Sequence, residues 1–130
     1  MILEIHLTHE SIIIPPVVLS SREIGSVLEF QGLVREKERG AALTGLFYEA
    51  HEPMARKRLE YHFAELQKKH AVVAVMFMHR LGWVPVGEAS LFIRVLSSHR
   101  AEGLLHLSEL VIRLKQDVPI WKLLMPPVLR

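Results

Sequence analysis

The sequence predicts an α+β domain with a mostly antiparallel sheet and two main helices, and three observations predict it. Short runs with period-two alternation or β-branched residues recur between turn signals. Only two stretches, Met54–Lys69 and Ala101–Gln116, hold apolar residues at three-to-four residue spacing over many turns. Their order is strand-rich, helix, two strands, helix, which belongs to an α+β arrangement. A chain of 130 residues, half of it hydrophobic and 23% charged, fits one domain over 1–130 with enough apolar material for a core.

Each element follows from local pattern. In Met1–Leu7, Leu3, Ile5 and Leu7 alternate with Glu4 and His6, the mark of a half-buried strand. Ile12–Ile14 is a short apolar run stopped by Pro15 and Pro16, and Ser20-Ser21-Arg22-Glu23 reads as a turn or a short helical start. Gly25–Val34 is the next strand, with Gly32 marking a bulge or a close backbone approach. Arg35–Gly40 is a charged loop, and Leu43–Ala50 a third strand. In the helix Met54–Lys69 the stripe is Leu59, Phe63, Leu66 and on to His70, with Pro53 suited to the first turn. Val72–Met78 is a β-branched strand, Gly82–Gly87 a turn region holding Trp83 and Pro85, and Ala89–Leu96 another strand. The helix Ala101–Gln116 has Leu104, Leu107, Val111 and Leu114 as its stripe, widened by Leu105 and Ile112, and Pro119 lies just beyond its end. The tail Ile120–Arg130 is apolar without a clear period and is expected to pack on a neighbour or a partner.

Composition excludes several function classes. The absence of cysteine rules out disulfides, cysteine-ligated zinc, iron–sulfur clusters and a cysteine nucleophile. The eight histidines are scattered, with no His-Glu-x-x-His spacing, so no metal is expected, and nothing calls for a cofactor. A net charge of +2 favours anionic ligands but is too small for nucleic acid. No secretory start and no apolar run of membrane-spanning length is present, so a cytoplasmic protein without a membrane partner is expected.

Four places could hold chemistry. Ser97-Ser98-His99-Arg100 joins a strand end to a helix start, where unpaired N–H groups attract anions. The same residues also read as Ser98 capping a helix beside two surface cations. Lys115, on the last turn of the second helix beside its apolar stripe, is either a surface cation facing the helix dipole or, if desolvated, a base or nucleophile. Lys122 follows Pro119-Ile120-Trp121, so it is either held in place or solvated beside a packed tryptophan. Arg35 closes a strand, where binding residues concentrate, although Arg35–Arg39 also reads as a solvated hairpin tip. His79-Arg80 reads as structural, with Trp83 as its packing neighbour.

Taken together, the chain resembles the large, catalytic subunit family of molybdopterin synthase. The residues are Phe30-Gln31-Gly32-Leu33-Val34-Arg35, Tyr48-Glu49 with Met54-Ala55, His79-Arg80-Leu81-Gly82, Ser97-Ser98-His99-Arg100, and Lys115 with Pro119-Ile120-Trp121-Lys122. They run in the family's order and spacing over roughly three-quarters of the chain. The resemblance implies an α/β-hammerhead fold and a homodimer at the core of a heterotetramer. Its partner would be a small ubiquitin-like sulfur carrier with a C-terminal Gly-Gly thiocarboxylate. The activity implied is a sulfurtransferase one, moving two sulfurs in succession onto cyclic pyranopterin monophosphate to make the molybdopterin dithiolene. By the same resemblance Lys115 and Lys122 are catalytic, and Arg35, His99 and Arg100 bind substrate. The alternative is a diverged, non-catalytic homodimeric module that binds an anion or a partner.

Physical chemistry agrees with these roles. An anionic substrate and an anionic thiocarboxylate both call for cations, and a chain without thiols needs its sulfur delivered. Arg100 and Lys115 lie at opposite ends of a helix about 24 Å long. A composite site is therefore expected, with Lys115, Lys122 and Arg35 from one subunit and His99 and Arg100 from its twin. The sequence departs from the family after the Trp-Lys pair: Leu123-Leu124-Met125-Pro126-Pro127 stands where the family commonly has Lys-Glu. A carboxylate to orient Lys122 is thus expected to be missing, and basic residues of longer family tails are absent apart from Arg130.

Overall fold

Leu3, Ile5 and Leu7 turn to one face of the first strand, β1 (Ile2–Thr8), while Glu4 and His6 face outward, as the alternation requires. A computed structural model describes residues 1–125. The elements that follow are β2 (Ser26–Leu33), β3 (Lys37–Glu38), β4 (Ala41–Ala42), β5 (Gly45–Ala50), α1 (Glu52–Lys69), β6 (Ala74–Arg80), β7 (Gly82–Pro85), β8 (Ala89–Ser97), α2 (Arg100–Asp117) and β9 (Ile120–Met125).

Four strands form the main sheet in the order β1-β6-β8-β2. Only β1 and β6 run parallel, and the other pairs are antiparallel. The β2–β8 register shifts between Gly32 and Leu33, so the bulge expected at Gly32 is present. Both helices cover one face of this sheet. Leu59, Phe63 and Leu66 of α1 and Leu110 and Leu114 of α2 close over Val75, Phe77, Ile93 and Val95. The chain leaves this sheet at Arg80 and enters a second sheet at Gly82, where β5 lies between β7 and β9. A small second core of Val34, Leu43, Leu46 and Val84 sits beneath it. Gly45 is required there by close approach: an added Cβ would lie 2.5 Å from both the Trp83 ring and the Val84 carbonyl oxygen.

Four readings change. Gly82–Pro85 is a strand rather than a turn, because its backbone pairs with β5 from Gly45↔Pro85 to Tyr48↔Gly82. The tail is not aperiodic packing: Ile120–Met125 is an edge strand on β5, and Pro126, Pro127 and Arg130 lie outside the described residues. The charged loop at Arg35–Gly40 contains one arm of a tight hairpin, β3–β4, whose turn residues Arg39 and Gly40 both have positive φ. Finally, the predicted α2 stripe holds at Leu107, Val111 and Leu114, which meet the core, but not at Leu104, Leu105 and Ile112. Gly103, His106, Leu110 and Leu114 are buried, whereas Leu104, Leu105 and Ile112 are about half exposed. Leucines on nearly every side of this helix leave its period ambiguous, and His106 settles the face. Its Nδ1–H donates to the His70 carbonyl at 2.9 Å, and its ring stacks on Phe63.

Candidate active site

The last turn of α2 and the start of β9 bring two lysines to one place. Arg58 of α1 and the Nε2–H of His62 both donate to the Asp117 carboxylate, the latter at 2.6 Å. This clamp fixes the C-terminal turn on which Lys115 sits. The His51 N–H donates to the Pro119 carbonyl at 3.3 Å, tying the start of β9 to the start of α1. On β9, Lys122 stands opposite Tyr48 of β5.

Arg35, Glu38, Tyr48, His79, Lys115 and Lys122 line a single cavity of about 510 Å³, with an apolar wall that includes Phe30, Leu91, Val111 and Trp121. The cavity lies where the two sheets and the C-terminal end of α2 meet. Lys115 makes no hydrogen bond or ion pair among the described residues. Lys122 differs: its Nζ donates to the Glu38 carboxylate from the β3–β4 hairpin. The expectation that Lys122 lacks an orienting carboxylate is therefore corrected. The acid comes from a hairpin distant in sequence, not from the segment after Trp121-Lys122. The hydrogen bond from Lys122 holds the Glu38 carboxyl below the usual carboxylate range, against the opposing effect of burial, and nearby Arg35 and Arg39 add to it.

His79 forms a neutral surface of the cavity. Burial pushes it down to about 4, and its Nδ1–H donates to the Arg80 carbonyl at 2.9 Å. At neutral pH its Nε2 is therefore an uncharged acceptor. Its ring neighbours are Tyr48, edge-on at 5.0 Å, and Phe77, while Trp83 lies over Gly45 in the second sheet. Arg80 pairs with Glu88 at 2.7 Å. With three cations, one carboxylate and a neutral imidazole, the cavity suits an anionic ligand with an apolar or aromatic body.

His99 and Arg100 are elsewhere. They line a separate depression with Gly25, Ser26 and Ser98 at the N-terminus of α2. His99, not Ser98, occupies the N-cap position, and its N–H donates to Glu102. About 22 Å of helix separates Arg100 from Lys115, so Arg35, Lys115 and Lys122 come together within one protomer and His99 and Arg100 do not join them. Sequence reasoning missed Glu38, Tyr48 and His79 as cavity residues. A hairpin signal was present in Arg39-Gly40, but nothing local told which side of the hairpin would face inward.

Residues 7–117 match the family model described as MoaE protein. The chain is 37% identical over 98 residues to a molybdopterin synthase catalytic subunit from Oryza sativa subsp. indica, covering 75% of this chain and 51% of that protein. The chain thus spans about half the length of that curated relative. Its fold matches the crystal structure of molybdopterin synthase from Staphylococcus aureus with a TM-score of 0.77 and 32% identity, over 82% of this chain and 78% of that one. A complex of subunits 1 and 2 of molybdopterin-converting factor from Helicobacter pylori shares the fold, with a TM-score of 0.68 and 21% identity over 94% and 83% of the two chains. Among the described residues no helix is long and apolar enough to cross a membrane. With the family model spanning most of its length and the Staphylococcus aureus enzyme matching in both sequence and fold, the chain belongs to the MoaE protein family.

Proposed function

We propose that the chain is the large, catalytic subunit of a molybdopterin synthase working in the cytoplasm. It transfers sulfur from the C-terminal thiocarboxylate of a small partner subunit to cyclic pyranopterin monophosphate. The observation that carries this reading is the one cavity lined by Arg35, Lys115 and Lys122 in a chain with no cysteine. Such a site can neutralise an incoming anion but cannot supply sulfur itself.

In this reading the partner's tail enters between the two lysines. In transfer, the thiocarboxylate sulfur bonds to a pyranopterin carbon as a carbon–oxygen bond at that carbon breaks, its oxygen leaving with a proton. Attack of water on the thioacyl carbon then breaks the carbon–sulfur bond and leaves the tail as a carboxylate. Ammonium groups beside that carbon stabilise the oxyanion formed during attack. Lys115, which has no partner among the described residues, is free to approach the reacting atoms, and Lys122 is a fixed charge. Arg35 binds substrate from the same protomer, and His99 and Arg100 complete the site from the twin protomer of a homodimer. The apolar wall suits the flat pterin ring.

The test is reconstitution with a thiocarboxylated small subunit and cyclic pyranopterin monophosphate, with molybdopterin measured as product. Product should form with the native chain and fall by about a hundredfold or more with Lys115→Ala. No product from the native chain, or undiminished product from Lys115→Ala, would sink the reading.

A further inference from the structure

Two lysines share the cavity, yet among the described residues only Lys122 is tethered. We infer that Glu38 is a positioning residue for Lys122, its carboxylate fixing where the Lys122 ammonium stands in the cavity wall. This inference rests on the function proposed above for the catalytic role of Lys122, although the tether itself can be measured without it.

The hairpin is built to deliver this group. Arg39 and Gly40, both at positive φ, make a two-residue turn that sets Glu38 opposite Ala41. Lys37 and Arg39 on either side are exposed, whereas the Glu38 side chain is only 12% exposed and lies inward on the cavity. An acid pointing inward from a charged hairpin needs a cation, and it has one in Lys122 Nζ, 84 residues away in sequence. On β9 the residues after Lys122 are Leu123 and Leu124, so the local sequence offers no acid. The tethered ammonium costs no reorganisation when negative charge arrives, which is what a stabilising charge requires. Lys115, facing the same space, has no such restraint among the described residues.

Two measurements test this. The first is residue-resolved acetylation of the lysine amines in the native chain and in Glu38→Gln. Freed from its partner, Lys122 should react about threefold or more faster in the variant, with Lys115 unchanged. The second uses the reconstituted reaction. Glu38→Gln should lower kcat about tenfold while KM for the thiocarboxylated subunit stays within about twofold. Glu38→Asp should recover part of the loss, and Glu38→Gln should cause no further loss in a Lys122→Ala background. Equal acetylation rates at Lys122, or losses that simply multiply in the double variant, would overturn the inference. If the native chain makes no product but Lys122 acetylation still accelerates in Glu38→Gln, the tether stands and the proposed reaction is what fails.

Discussion

His79 links the cavity to the pH dependence of folding. Its folded-state value of about 4 lies below the ordinary histidine value of 6.5. The unfolded chain therefore binds the proton first as pH falls. The stability this histidine contributes is fully present above about 6.5 and is lost as pH drops toward 4, by up to about 3 kcal/mol. His106, also depressed by burial, acts in the same direction. The carboxyls of Glu38, Glu109 and Asp117, held low by their hydrogen-bonded partners, add further losses at more acid pH. Urea unfolding at pH 7.5, 5.5 and 4.5 should thus give steadily decreasing stability, with a shallower slope in His79→Phe. A native chain equally stable at pH 7.5 and 4.5 would contradict this account.

At the same scale, Arg35 is exposed and faces the cavity without a hydrogen-bond partner among the described residues. Under the proposed function, Arg35→Ala should raise KM for the pyranopterin substrate about tenfold with little change in folding, because it removes a phosphate-binding cation and no core contact. Steady-state kinetics over a range of substrate concentrations would check it, and an unchanged KM would remove Arg35 from the substrate site.

Among elements, α1 and β5 hold the structure that shapes the cavity. Phe63 is fully buried, edge-on to Phe77 and stacked with His106, so it joins α1, the main sheet and α2. Phe63→Ala should cost about 3–5 kcal/mol in chemical denaturation. A loss below about 1 kcal/mol would mean that the layer repacks around the gap. Gly45 tests the second sheet. Gly45→Val puts branched carbon against the Trp83 ring and the Val84 carbonyl, and about 1–3 kcal/mol of overpacking cost is expected. The same substitution should disturb the cavity, since β5 bears Tyr48 and pairs with β9, which bears Lys122.

Element identity was largely legible from pattern, and orientation was not. The two helices and the strands β1, β2, β5, β6 and β8 fall where periodicity puts them, within a few residues. The face of α2 was legible only in part: Leu107, Val111 and Leu114 meet the core, but the half-exposed Leu104, Leu105 and Ile112 left no unique stripe. β7 and β9 were missed because each is short or proline-flanked and gains its strand character from backbone pairing with β5. Such long-range pairing leaves little local signal.

For the molecule as a whole, the separation of His99-Arg100 from Lys115-Lys122 along α2 makes a prediction about assembly. If the site is composite across a two-fold, a protomer with Lys115→Ala and one with Arg100→Ala complement each other. Each mixed dimer then holds one intact site and one doubly defective site. Random mixing should restore about a quarter of native activity, since half of the dimers are mixed. Activity no higher than that of either variant alone would mean that each protomer keeps its site to itself.

By itself the sequence determined the fold class, the run of most elements and the absence of a thiol, because periodicity, turn chemistry and composition are written locally. It also named Arg35, Lys115 and Lys122 as candidates. Helix length also set these three apart from His99 and Arg100, as the cavity does; only the tertiary structure decided that Glu38, Tyr48 and His79 join them and that Lys122 is held by Glu38. The reason is physical. Whether a lysine is tethered or free depends on which distant backbone the sheets bring beside it, and the Glu38–Lys122 pair spans 84 positions with no local pattern to announce it.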